Sequence, residues 1–170
     1  MEAAIAYPAR QLKREFSAVT KRQPMAKPPV WRQNKEAYPF IIQVDTRYGD
    51  LDIMGHINNV AMASIFESAR IQFHRHLGRH PQDLGVRWLV AALELNYLRE
   101  SHYPAPISVA CAIGGIGNTS WTVMSAAFQH DECVASCDAV IAMQGPEGRR
   151  RVSDDLRGVF KDNFIRQPEA

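Results

Sequence analysis

An α+β fold, in which one antiparallel β-sheet wraps around a single long helix, is predicted by three observations along the chain. Residues 40–46 alternate apolar and polar side chains as a half-buried strand does. Residues 59–77 then carry Met62, Ile65, Phe66, Ala69, Phe73 and Leu77 at helical spacing. After that, four period-two runs separated by turn residues read as an antiparallel meander. Such a sheet must bury one face, and 59–77 is the one long apolar helix on offer.

The chain begins with a basic segment. Residues 1–38 hold eight Lys and Arg against three Glu, a balance of +5, which leaves 12 against 15, or −3, for residues 39–170. Pro8, Pro24, Pro28, Pro29 and Pro39 interrupt it, and Ala9 to Val19 could form a short helix. It reads as a solvated or loosely docked extension (1–38) before one domain (39–170), dispensable for the fold at least through residue 36. An organelle-targeting peptide and an arm that packs on a partner subunit are the alternatives. Glu2 and Glu15 weigh against targeting, because transit peptides are poor in acids.

Between the first strand and the long helix lies a polar loop with Asp50, Asp52, His56, Asn58 and Asn59, where Gly49 and Gly55 free the backbone. Asn58 suits the N-cap, with Ile57 and Met62 placed for a hydrophobic staple. A helix starting here turns its unpaired N–H groups and positive dipole end toward the loop. Gly78 and Pro81 end the helix. Residues 87–100 form a long strand with Leu93, Leu95 and Tyr97 on one face. The next strands are Ile107 to Ile113, Trp121 to Phe128 and Cys133 to Met143, with Gly114, Gly115, Gly117 and Asn118 in the turn between the first two. On the last strand the alternation groups Cys133 with Ala135, Cys137, Ala139 and Ile141. Gly145 to Gly148 ends that strand, Arg149 to Arg151 reads as a solvated run, with a surface that meets phosphates as the alternative, and Ser153 caps a short helix through Phe160.

A chain of 170 residues with 46% hydrophobic and 22% charged residues and a net charge of +2 is an ordinary globular domain without the charge of a nucleic-acid binder. No apolar run approaches the roughly 20 residues of a membrane helix, and the first residues lack a secretory signal's apolar core, so a cytoplasmic location is expected. Three cysteines among strand residues read as reduced, packed thiols.

Several residues are candidates for chemistry. Asp52, ionised at neutral pH, could attack a carbonyl or activate a water, or could simply bond loop amides; Asp50 is assigned the second, structural role. His56 could hold a water or polarise a carbonyl, or bond the backbone. Asn58 and Asn59 read as a cap and a loop-fixing amide that could also reach a substrate. Glu67 lies in an apolar helix, where a lone charge is costly, and either pairs with Arg70 or faces the site as a base. Thr119 and Ser120 begin a strand and could touch substrate. The remaining histidines, His74, His76, His80, His102 and His130, invite a metal hypothesis, but His74 and His76, two apart on a helix, lack ligand spacing, and no metal is assigned. No dinucleotide loop is present, which argues against a nicotinamide, and no cofactor is expected; no serine lies in a nucleophile elbow, which argues against a serine-hydrolase route.

The run from Thr46 to Phe73 resembles the signature of the 4-hydroxybenzoyl-CoA thioesterase branch of the hotdog-fold acyl-CoA thioesterases. Asp52 matches the family's catalytic aspartate, Gly55-His56-Ile57-Asn58-Asn59 its central motif, and Phe66-Glu67-Ser68-Ala69-Arg70 its helix motif. Met62 stands where the family often has tyrosine. The resemblance, which covers residues 39 to about 160, implies a hotdog fold and hydrolysis of an acyl-CoA to free acid and CoA. In that reading Asp52 is base or nucleophile and N–H groups at the helix start stabilise the oxyanion. It also implies active sites shared across a homodimer, or a tetramer built from such dimers; the sheet's exposed edges favour dimerisation on their own. A hotdog hydratase or dehydratase using His56 and Glu67, and a non-catalytic acyl-thioester binding protein, are the alternatives.

Overall fold

The computed structural model describes residues 27–78 and 85–167; the segment expected to be helical at 9–19 lies outside them. Strand β1 (Phe40–Val44) leads through the polar loop into helix α1 (Asn59–His76). Strands β2 (Arg87–Tyr97), β3 (Ile107–Ile116), β4 (Ser120–Gln129) and β5 (Glu132–Gly145) follow, then a two-residue β6 (Gly148–Arg149) and helix α2 (Asp154–Lys161). The sheet order is β1-β3-β4-β5-β2 with β6 on β5, and every pairing between strands is antiparallel. The sheet curls round α1, which is the hotdog arrangement.

Helix α1 forms where the spacing places it, because its stripe of Met62, Ile65, Phe66, Ala69 and Phe73 is at most 5% exposed and packs on the inner face of the sheet. Asn58 caps it by accepting from the Ala61 N–H at 2.8 Å, and Ile57 and Met62 are both buried as the staple requires. Gly78, at φ 65°, takes the left-handed conformation just past the last turn. Arg70 joins the buried set, which the spacing did not suggest. Its side chain is 8% exposed while that of its partner Glu67, 3.5 Å away, is 61% exposed. The buried charge of the pair is therefore the arginine, not the glutamate.

Two local irregularities alter the expected faces. A bulge opposite Ala127 and Phe128 sends Cys133 to the outer face and Val134 inward, so Cys133 does not share a side with Ala135 and Cys137. Gly114 and Gly115 continue β3 through a second bulge instead of forming the turn. A Cβ on Gly114 would come within 2.6 Å of the Met124 side chain, which would have to move aside. Cys111, Cys133 and Cys137 are free and buried, and burial pushes their thiols up to about 12, 11 and 11.

The outer face of the sheet is covered as well. Ala37 and Tyr38 pack there on Ala110, Ala112, Ala126, Phe128 and Cys133. Arg32 forms a two-pronged ion pair with Asp138 of β5, one prong at 3.0 Å, and its carbonyl accepts from the Tyr38 hydroxyl at 2.8 Å. Lys35 pairs with Asp131 at 2.7 Å, and the Arg166 N–H donates to the Ala37 carbonyl at 2.8 Å. The stretch from Trp31 to Tyr38 thus belongs to the body, contrary to the expectation of a solvated or loosely docked extension through residue 38. Short turns let its few apolar groups reach a shallow face of small residues.

Deleting residues 1–36 should accordingly lower the melting temperature by roughly 5–10 °C relative to a chain starting at residue 27, since Asp138 loses Arg32 and the outer face loses Trp31 from its cover. Equal melting temperatures in calorimetry would refute this packing energetics. A second expectation concerns His74, which accepts from the Trp121 indole N–H at 3.3 Å and packs edge-on against Trp88. Burial pushes its imidazole down to about 4. Because the folded form resists protonation, the stability this neutral histidine contributes is complete above its ordinary value near 6.5 and is lost as pH falls from there toward 4. The loss should reach on the order of 3 kcal/mol, and His74→Gln, which does not titrate, should remove that part of the pH dependence in urea titrations at pH 7 and pH 4.5.

Candidate active site

The loop between β1 and α1 is built on Asp50. Its carboxylate accepts from the Arg47 backbone N–H at 2.8 Å and from the Arg47 guanidinium at 2.9 Å, which fixes the single 3-10 turn Tyr48–Asp50. Burial alone would raise the Asp50 carboxyl, but the bonds and charge of Arg47 outweigh it and hold the group below the usual carboxylate range. The Asp50 carbonyl accepts from both the backbone and the side-chain nitrogen of Asn58, at 2.9 and 3.0 Å. Asn58 therefore ties the loop to the helix it caps. The structural role assigned to Asp50 is what the geometry has.

Within this frame Asp52 closes a smaller ring. Its N–H donates to the His56 carbonyl at 2.9 Å, while its Oδ1 accepts from the N–H groups of Met54 at 2.8 Å and His56 at 3.1 Å. Gly55, at φ 83°, lets the chain turn so tightly. The His56 N–H is the main reason the Asp52 carboxyl is held below its ordinary range, with the Met54 N–H adding to it against a small effect of burial. Asp52 is exposed and ionised, so it bonds loop amides and still presents its charge outward.

Asp52 lines an open cleft of about 350 Å³ together with His56, Asn59, Met62, Tyr97 and Glu100. The His56 Nε2 lies 3.3 Å from Glu100, and the His56 ring meets that of His102 edge-on with centroids 5.1 Å apart. Tyr97 donates its hydroxyl to the Asn59 carbonyl at 3.0 Å, bracing the first turn of α1 from β2. Of the N–H groups at the helix start, that of Ala61 is taken by Asn58 and that of Val60 by the Asn59 side chain. The Asn59 N–H is the first-turn donor that neither side-chain cap uses.

Asp52, His56, Asn58 and Asn59 are brought together as the sequence suggested. Glu67 is not among them: it sits eight residues along α1 from Asn59, about 12 Å on the helix axis. Thr119 and Ser120 are at the far end of the sheet, since Ser120 pairs with Ala142 of β5 whereas Tyr97 pairs with Ala135. Within one chain they do not reach the cleft. Sequence reasoning missed Tyr97 and Glu100, and weighed His102 only as one of five histidines that suggest a metal. Tyr97 carried a usable signal, as an inward residue near the end of an expected strand; Glu100 sits in irregular chain and carried none.

This fold and this loop define a class. A family model for the thioesterase-like superfamily matches residues 46–154, and the chain belongs to that superfamily. Among solved structures it is similar to a thioesterase from Thermus thermophilus complexed with coenzyme A and Zn, at 25% identity and a TM-score of 0.68 over 75% of this chain and 95% of that one. It is equally close to a predicted thioesterase from Bacillus stearothermophilus, at 25% identity and a TM-score of 0.67 over 75% of this chain and 98% of that one. Among curated proteins it is 26% identical over 89 residues to the uncharacterized protein YsmA of Bacillus subtilis (strain 168), spanning 52% of this chain and 60% of that protein. No helix among the described residues is long and apolar enough to cross a membrane.

Proposed function

We propose that the protein hydrolyses acyl-CoA thioesters, with Asp52 as the catalytic carboxylate. The observation that carries the reading is an ionised, outward-facing Asp52 fixed beside the start of α1, in a chain of the thioesterase-like superfamily. Asp52 takes a proton from a water in the cleft as the resulting hydroxide adds to the thioester carbonyl. The oxyanion meets the Asn59 N–H at the positive end of the helix dipole, then collapses and expels the thiolate, which takes up the proton held by Asp52 and so restores the carboxylate. His56 orients the water or the carbonyl from the same wall. A coenzyme A moiety suits this site because a structure of a related thioesterase contains it. The hydratase alternative is less well supported, because Glu67 is solvent-facing and remote from His56 within the chain.

The working unit is proposed to be a homodimer. Strand β2 is an edge strand, and Val90, Leu93 and Tyr97, which pair with the inward-facing Ile141, Ala139 and Ala135, are 44–50% exposed. Helix α1 packs on β3, β1 and β4 and leaves that apolar end of the inner face open. A second copy joined at β2 would remove the edge and wall the cleft.

Asp52→Asn keeps the shape of the side chain and removes its charge and basicity. Turnover of a susceptible acyl-CoA should fall by about 10² or more with little change in KM, in thiol-release assays across aliphatic and aromatic acyl groups. A folded Asp52→Asn protein at near wild-type rate would refute the mechanism, and absence of hydrolysis by wild type across the panel would favour a binding protein. Sedimentation at micromolar concentration should give a dimer or a multiple of it; a stable monomer of 19.1 kDa would refute the shared cleft.

A further inference from the structure

We propose that His56, Glu100 and His102 form a binding site for a divalent transition metal of the zinc class, on the wall of the cleft that Asp52 lines. Their potential donor atoms, two imidazole nitrogens and a carboxylate oxygen, all lie within 4.8 Å of one another. Two histidines and one carboxylate are a donor set that suits zinc and leaves a fourth position for water. Donors of a tetrahedral site with bonds near 2.0–2.1 Å stand roughly 3.3 Å apart. His56 Nε2 and Glu100 Oε2 are at that separation already, at 3.3 Å. The remaining adjustment, about 1.5 Å at most given those bond lengths, falls on the exposed His102 side chain, which has room to turn.

The backbone beneath the three side chains is fixed, so the cluster is not a chance meeting of mobile surface groups. The Ile57 N–H donates to the Ser101 carbonyl at 2.8 Å, joining the His56 loop to the Glu100 segment at its midpoint. Ser101 itself is 3% exposed and points into the body, which turns its neighbours Glu100 and His102 outward. The His102 N–H donates to Gln129 Oε1 and its carbonyl accepts from Gln129 Nε2, both at 2.8 Å, and Gln129 is 5% exposed on β4. On the other side His56 is held by its N–H bond to Asp52. The thiols, a common rival for zinc, are buried and strongly protonated at neutral pH.

The test uses the full chain stripped with a chelator, titrated with Zn²⁺ by calorimetry and with Co²⁺ by visible absorption, which reports low-coordinate geometry. One ion per chain is expected. His102→Ala and Glu100→Gln should each weaken Zn²⁺ binding by at least about tenfold and remove the Co²⁺ bands, with unchanged circular dichroism. His76→Ala, an exposed histidine elsewhere on α1, should leave binding as it was. Failure of wild type to bind either ion, or binding that survives both site substitutions within about threefold, would overturn the proposal.

Discussion

The seating of one stripe of α1 in the concave face of the sheet is the constraint on which the rest depends. Phe66, Ala69 and Phe73 are at most 1% exposed, and no other apolar element among the described residues covers that part of the inner face. Sliding the helix by one residue would rotate this stripe by about 100° and expose it, so its register is fixed. A fixed register fixes the first turn, and the first turn fixes Asn58, which ties down the loop carrying Asp52 by donating two bonds to the Asp50 carbonyl. Burial energy in the core is in this way converted into position at the surface.

The loop divides its two aspartates by environment. Asp50 is 4% exposed, and its charge is tolerated because the guanidinium and the backbone N–H of Arg47 meet it. Asp52, two residues on, is held by amides on one oxygen but stands in solvent, so its charge remains available to a ligand. The same amides that keep it ionised also make it a weak base. A cleft wall from a second subunit, or a bound acyl group, would exclude water around it and restore basicity. The open cleft and the exposed apolar end of β2 are both surfaces that the proposed dimer would cover.

Burial of charge elsewhere follows the same logic. Arg32 is sealed on the outer face by the two oxygens of Asp138, and Arg70 lies inside with only the exposed Glu67 for an anionic partner among the described residues. Arg32 lies over a face that small residues such as Ala110, Ala112 and Ala126 leave shallow. Long stems with terminal forks suit that geometry, because the stem packs while the head finds its oxygen.

Periodicity and short-range capping are local properties, and they were legible. The stripe of α1, its Asn58 cap, the terminating Gly78, the alternating faces of β3 and β4 and the proximity of Asp52, His56, Asn58 and Asn59 all follow from residues within a few positions of one another. Tertiary structure decided what depends on pairing between distant segments. The strand order β1-β3-β4-β5-β2 rests on backbone hydrogen bonds, which every residue except proline can make and no side chain announces. The bulges that moved Cys133 outward and kept Gly114 in a strand break the period-two rule from within. Docking of residues 31–38 required Asp138, about a hundred positions away, and the meeting of His56 with Glu100 and His102 required the Ser101 carbonyl to receive the Ile57 N–H. Sequence spacing carries no information about such encounters, because the chain between them is free to take any path that the core permits.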